Sequence, residues 1–162
     1  MSLIKIPEYE FISKNRNEKM GGGVEFFIHK SINFLIREDL KMEDEVAECL
    51  TIEIINSNSK NIVICLIYRP PNTDPIKFIN CLSTTIECLR SSKKITYLMG
   101  DFNIYLLKND ICNIRDNFTN MLHSYNFFPL INTPTRVTET SSTLIDNIFS
   151  HLLTDHTNGV IC

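Results

Sequence analysis

Residues 24–29 read VEFFIH, and Val24, Phe26 and Ile28 alternate there with Glu25, Phe27 and His29. One side is uniformly apolar and the other mixed, which is the two-residue period of a half-buried strand. The glycines at 21–23 form a turn in this reading, because they lack the preceding strand and following helix of a phosphate-cradling loop. CLTIEII, residues 49–55, supplies a second strand with Leu50, Ile52 and Ile54 on one face. The polar stretch NSNSKN then leads into IVICLIY, residues 62–68, apolar throughout. That run predicts a strand covered on both faces, and its β-branched content argues against a helix. A hairpin turn over residues 56–61 would join the two.

RPPN closes the third strand, since two prolines cannot donate to a ladder. Asp74 before Pro75 is an N-cap followed by a favoured first helical residue. Beyond it Ile79, Leu82, Ile86 and Leu89 recur at spacings of three and four, the stripe of a helix ending near Arg90. KITYLM predicts the next strand, with GDFN at its exit. Phe118, Met121, Leu122 and Tyr125 mark a second helix, and FFPLI and STLIDNIF the last strands, separated by the turn-rich NTPTRVTETS. The expected order is strand, strand, strand, helix, strand, helix, strand, strand. This describes one sheet-rich α/β unit with helices outside, without internal repeat or linker.

Composition narrows the class. The 162 residues are 43% hydrophobic and 22% charged, with 5 Gly and 6 Pro, a balance that suits one globular domain. The net charge of -3 excludes a bulk cationic field directed at nucleic acid or an anionic bilayer, but not a local basic patch. The acids gather in REDLKMEDEVAE, residues 37–48, which is expected to be a solvated turn between strands. No signal-peptide succession opens the sequence and no run approaches the ~20 apolar residues of a membrane span. An intracellular protein of nucleus or cytoplasm, neither secreted nor membrane-bound, is expected. Cys49, Cys65, Cys81, Cys88, Cys112 and Cys162 form no C-x-x-C pair and read as mostly buried free thiols.

Candidate chemistry concentrates at the ends of strands. In an extended segment Asp101 and Asn103 would point to the same side, offering a carboxylate to a hard cation and an amide to a phosphate oxygen or water. The same two residues also suit an Asx turn that caps nearby backbone. Asp146 lies within an apolar segment, where an ionised carboxylate must be hydrogen-bonded, paired or metal-bound. Tyr68 ends the most apolar strand, placed either to donate to a phosphate or simply to pack. Arg136 offers a fork for phosphate, or else a solvent-facing loop charge. His29, His123, His151 and His156 lack metal-site spacing, no serine sits in a nucleophile elbow, and no Cys/His grouping has zinc spacing.

Taken in order, YRPP, GDFN, PTR and STLIDNIF resemble the endonuclease domain of non-LTR, jockey-like retrotransposons, within the endonuclease/exonuclease/phosphatase superfamily. The likeness runs from Gly21 to Cys162. It implies a four-layer α/β/β/α sandwich, one or two Mg²⁺ or Mn²⁺ ions, DNA as partner and phosphodiester hydrolysis. In a full-length element a reverse-transcriptase domain would share the polypeptide. By motif, Tyr68 resembles the tyrosine on the scissile phosphate and Asn72 a phosphate-contacting asparagine. Asp101 resembles the carboxylate that orients or deprotonates the attacking water and can touch the metal, with Asn103 its phosphate-binding partner. Asp146 resembles the aspartate that supports the site, Arg136 falls in the PTR motif, and the Thr143 hydroxyl would face the DNA backbone.

The resemblance also predicts an incomplete domain over residues 21–162. The family opens with strands bearing an asparagine and a metal-binding glutamate, and residues 1–20 give no counterpart, since Glu8, Glu10 and Glu18 lie in no comparable apolar strand. It closes with a Ser-Asp-His motif one strand beyond IDNIF. Asp155 and His156 spell its last two letters but follow that strand directly, so they read as loop. Weak metal binding and little or no cleavage by this chain are expected. The alternatives are a noncatalytic remnant or binding module, and a phosphatase of the same superfamily.

Overall fold

The most apolar run of the sequence forms the middle of a sheet. The computed structural model describes residues 5–14, 23–43, 45–90, 94–107 and 113–152. Its strands are β1 (Tyr9–Lys14), β2 (Val24–His29), β3 (Phe34–Ile36), β4 (Glu48–Ile54), β5 (Ile62–Tyr68), β6 (Ile95–Asp101), β7 (Phe128–Pro129), β8 (Arg136–Val137), β9 (Ser142–Thr143) and β10 (Asp146–Ser150). Helix α1 (Pro75–Arg90) lies between β5 and β6, and α2 (Asn113–Ser124) between β6 and β7. Six strands form one mixed sheet in the order β3-β4-β5-β6-β10-β7, while β1–β2 and β8–β9 are separate two-stranded sheets.

The expected hairpin joins β4 and β5 antiparallel, whereas β5 and β6 run parallel and therefore need α1 as a crossover. Asp74 caps α1 by accepting from the Ile76 N–H at 2.8 Å. The apolar stripe of α1 faces the sheet: Phe78, Leu82 and Ile86 share one core with Val63, Cys65 and Ile67 of β5, Leu98 of β6, Phe149 of β10 and Phe118 and Leu122 of α2. The other face of β4 and β5 meets the β1–β2 hairpin, where Val24, Ile28, Leu50 and Ile52 are buried. Cover on both sides explains why IVICLIY has no polar position.

Four features depart from the pattern reading. Residues 1–20 hold a strand after all, because Tyr9–Lys14 pairs along its whole length with β2. The three-residue β3, too short to show a period, pairs with β4. The segment 37–48 is not simply a solvated turn: Glu38, Asp39, Glu43 and Glu45 are exposed, but Leu40, Met42, Val46, Ala47 and Glu48 are buried. The turn-rich segment before STLIDNIF contains β8, which folds back on β9. Cys49, Cys65, Cys81 and Cys88 are free thiols, the first two buried and Cys88 exposed. Cys112 and Cys162 lie outside the described residues.

Candidate active site

Four neighbouring strands begin or end on one row. Glu48 stands opposite Tyr68, Tyr68 opposite Asp101, and Asp101 opposite Asp146. Residues opposite one another in a sheet project from the same face. Since Val63, Cys65, Ile67, Leu98 and Phe149 occupy the helix-covered face, this row belongs to the other one. Parallel β5 and β6 both stop here, the position at which open α/β sheets present their ligand sites. Asp101, Asp146 and Tyr68, drawn from three distant motifs, are thus brought together. Glu48, only 2% exposed, joins the row, although the sequence placed it at the edge of an acidic turn.

Gly100 explains how β6 reaches the row. It has φ +137°, and a Cβ there would stand 1.9 Å from the Ile67 carbonyl oxygen, so only glycine fits between the strands at this point. Burial, together with the adjacent charge of Asp146, raises the Asp101 carboxyl above its ordinary range, against the pull of the Asn103 N–H, Arg69 and Arg136. Asp146 accepts from the Thr135 hydroxyl at 2.8 Å. Thr135, one residue before the singled-out Arg136, was missed because nothing in PTR reveals which side chain turns inward.

Asn103 corrects the expectation of a shared strand face. β6 ends at Asp101, and Asn103 has φ +47°, in the left-handed region. Its N–H donates to Asp101 Oδ1 at 2.9 Å, which is the Asx turn, and its amide Nδ2 donates to the Arg69 carbonyl at 2.7 Å. Asn103 therefore stands beside Asp101 through a turn and not through strand alternation. Arg69 was also missed: it is 4% exposed, and its guanidinium donates to the carbonyls of Phe102 and Asn103. The sequence signal was its position directly after Tyr68.

The remaining candidates lie around this centre. Asn72 is exposed in the turn after β5. Arg136 is exposed on β8, near enough for its charge to act on Asp101. Thr143 pairs with Arg136 across β8–β9, and its hydroxyl donates to the Arg136 carbonyl at 3.5 Å. The Tyr105 hydroxyl donates to the Ser142 carbonyl and ties this hairpin to the segment after GDFN. Asp155 and His156 lie outside the described residues.

Two carboxylates on adjacent strands present the oxygen donors a hard cation prefers, yet such ions take about six ligands. Among the described residues no group of three or more His, Cys, Asp or Glu side chains is arranged to hold a metal. The protein groups present therefore fit only part of a metal shell.

This mixed sheet with helices on one face, in which parallel β5 and β6 end at Tyr68 and Asp101 and antiparallel β10 begins beside them at Asp146, has the fold of solved endonuclease/exonuclease/phosphatase proteins. Solved structures carry that statement. The endonuclease domain of TRAS1, a telomere-specific non-LTR retrotransposon, superposes with TM-score 0.70 at 10% identity, over 90% of this chain and 68% of that one. An endonuclease/exonuclease/phosphatase family protein from Bacteroides thetaiotaomicron gives 0.60 at 18% identity, over 90% and 60%. The 3' phosphatase NExo from Neisseria, bound to product DNA hairpin, gives 0.57 at 13%, over 88% and 66%. The chain thus spans between 60% and 68% of the length of these structures. At such identities the likeness is one of fold. No protein-family model and no curated protein sequence matches the chain.

Proposed function

We propose that this chain belongs to a DNA endonuclease domain of the non-LTR retrotransposon kind, hydrolysing phosphodiesters with a divalent cation, Mg²⁺ or Mn²⁺. The observation that supports it most is the pairing of Asp101 with Asp146 beside Tyr68 at one end of the sheet. The cation, when bound, would polarise the phosphate and supply a nucleophile at neutral pH. Asp101 would be a ligand for it and a group that orients or deprotonates the attacking water. Asn103 and the Tyr68 phenol are donors to phosphate oxygens, with Asn72, Arg136 and Thr143 as backbone contacts that position the duplex. A reverse-transcriptase domain on the same polypeptide and an intracellular setting belong to this reading. Among the described residues no helix is long and apolar enough to cross a membrane. The partial ligand set favours a slow enzyme, because binding phosphate without the metal shell does not stabilise the transition state.

Supercoiled plasmid incubated with the chain and Mn²⁺ should be nicked slowly, and the nicking should vanish with a chelator or with Asp101→Ala. Two other activities on DNA would redirect the reading. Release of inorganic phosphate from a 3'-phosphorylated oligonucleotide, without nicking, would make it a phosphatase, as in the Neisseria neighbour. DNA binding with neither activity would make it a binding module. Nicking unaffected by Asp101→Ala would overturn the site itself.

A further inference from the structure

Arg69 is a buried cation whose hydrogen bonds go to neutral acceptors. Its Nε donates to Phe102 O at 2.7 Å and its Nη2 to Asn103 O at 2.6 Å. Its Nη1 donates to Thr73 O at 2.9 Å, and to Pro70 O and Thr73 Oγ1 at 3.3 Å each. The backbone adds to this: Arg69 N–H donates to Asp101 O at 2.9 Å, and Arg69 O accepts from Asn103 Nδ2 at 2.7 Å. Three successive carbonyls, those of residues 101, 102 and 103, therefore all receive hydrogen bonds from one residue. The Phe78 ring lies 6.0 Å from the guanidinium carbon and closes the other side.

Such an arrangement exceeds what a strand exit needs. A glycine at position 103 would adopt φ +47° without strain, whereas a residue with a Cβ keeps that conformation only when its surroundings hold it there, even though asparagine tolerates it better than most. The chain places an asparagine there and surrounds its turn with a guanidinium fork. A lysine, with a point charge on a flexible stem, lacks the fixed fork that serves the Phe102, Asn103 and Thr73 carbonyls together.

We propose that Arg69 is the positioning residue of this site: it touches no substrate, but locks the 101–103 turn so that the Asp101 carboxylate and Asn103 amide meet one phosphodiester together. This rests on the reading of the site as a phosphodiester site. Arg69 acts through Asn103, so the two residues are one functional unit and their substitutions are not additive.

The test is a double-mutant cycle on affinity for a short DNA duplex, with NMR of the same proteins. Arg69→Lys should weaken binding about tenfold, the usual scale for losing an outer partner of a site, and Asn103→Ala, which removes the phosphate donor that Arg69 positions, by a similar factor. The double variant should be no weaker than either single one. Additive losses, or wild-type affinity in Arg69→Lys, would overturn the proposal. Should the wild-type chain bind no duplex, the phosphodiester reading fails and NMR alone decides about Arg69. The Asn103 backbone coupling should leave its left-handed value in Arg69→Lys while the signals of the core strands stay in place, and an unchanged coupling refutes the positioning role. If Arg69→Lys does not fold, the wild type still answers. Its Arg69 Nε–H and Asn103 Nδ2–H should exchange slowly with solvent, and exchange as fast as at exposed side chains would refute the lock.

Discussion

Asp101 works against the fold that presents it. Its carboxyl is raised by burial and by the neighbouring Asp146 charge, so the folded state binds its proton more tightly than the unfolded chain does. Its support for folding is present at acid pH, below the unfolded carboxylate value. That support is withdrawn as pH rises to the raised folded value, and at neutral pH the ionised group is a liability. Asp101→Asn should therefore stabilise the chain at neutral pH by a few tenths of a kcal/mol, a small figure because this half-buried group is partly screened by water. The substitution keeps an Oδ1 for the Asn103 N–H. Urea unfolding at neutral and acid pH checks both the sign and the loss of pH dependence, and a clear destabilisation at neutral pH would contradict the argument. Carboxylates in an apolar stretch are visible in sequence because their cost is local. Arg69 and Thr135 escaped notice because what marks them is a partner on another strand or turn.

Among the elements, β4 carries the group that ties one end of the sheet together. Glu53 is 4% exposed. It accepts from Arg37 after β3 at 2.6 Å, from Asn61 in the β4–β5 turn at 2.8 Å, and from Lys94 before β6 at 2.6 Å. Burial would raise its carboxyl, but the bonds from Lys94, Asn61 and Arg37 outweigh that and leave it below the usual range. Its contribution is present above the unfolded glutamate value, about 4.3, and is lost as pH falls through the lowered folded value. Glu53→Gln should cost roughly 2–3 kcal/mol at neutral pH, the scale of hydrogen bonds to a buried charge, with a smaller cost in acid. Thermal unfolding across that pH range measures it, and a cost that stays constant would point to shape instead of charge. Long elements were legible: α1 and β5 each fill their pattern. β1 was not, since its first residues, Tyr9 and Glu10, are exposed and offer no clean alternation. β8 and β9, two residues each, are defined by a turn and have no period to read.

At the scale of the whole molecule, site and core share one short segment. Phe102, between Asp101 and Asn103, is 0% exposed. Its ring packs 5.5 Å from Phe118, 5.3 Å from Phe149 and 6.4 Å from Phe78, so α1, α2 and β10 meet at the residue that anchors the GDFN turn. Phe102→Ala should cost about 3–5 kcal/mol, and Phe102→Leu clearly less, as read from urea midpoints. An Ala variant of unchanged midpoint would show the ring cluster to be dispensable. The mixed sheet with outer helices was readable because its helices and central strands are long and strongly patterned. The β1–β2 cover was not, because it depends on pairing between segments whose surroundings are set by the rest of the sheet.

The sheet order also governs when the site comes into being. β10 lies between β6 and β7, although it is the last strand of the described chain. β7 pairs with no other strand of the sheet, and Asp101 gains its carboxylate neighbour only when β10 inserts. During synthesis the strands from β3 to β6 can dock as they emerge, because their pairings close comparatively short loops or a helical crossover. The acidic pair must wait until nearly all the described chain has been made. A nascent chain stalled before residue 146 would lack both the Asp146 carboxylate beside Asp101 and the Phe149 ring that packs on Phe102.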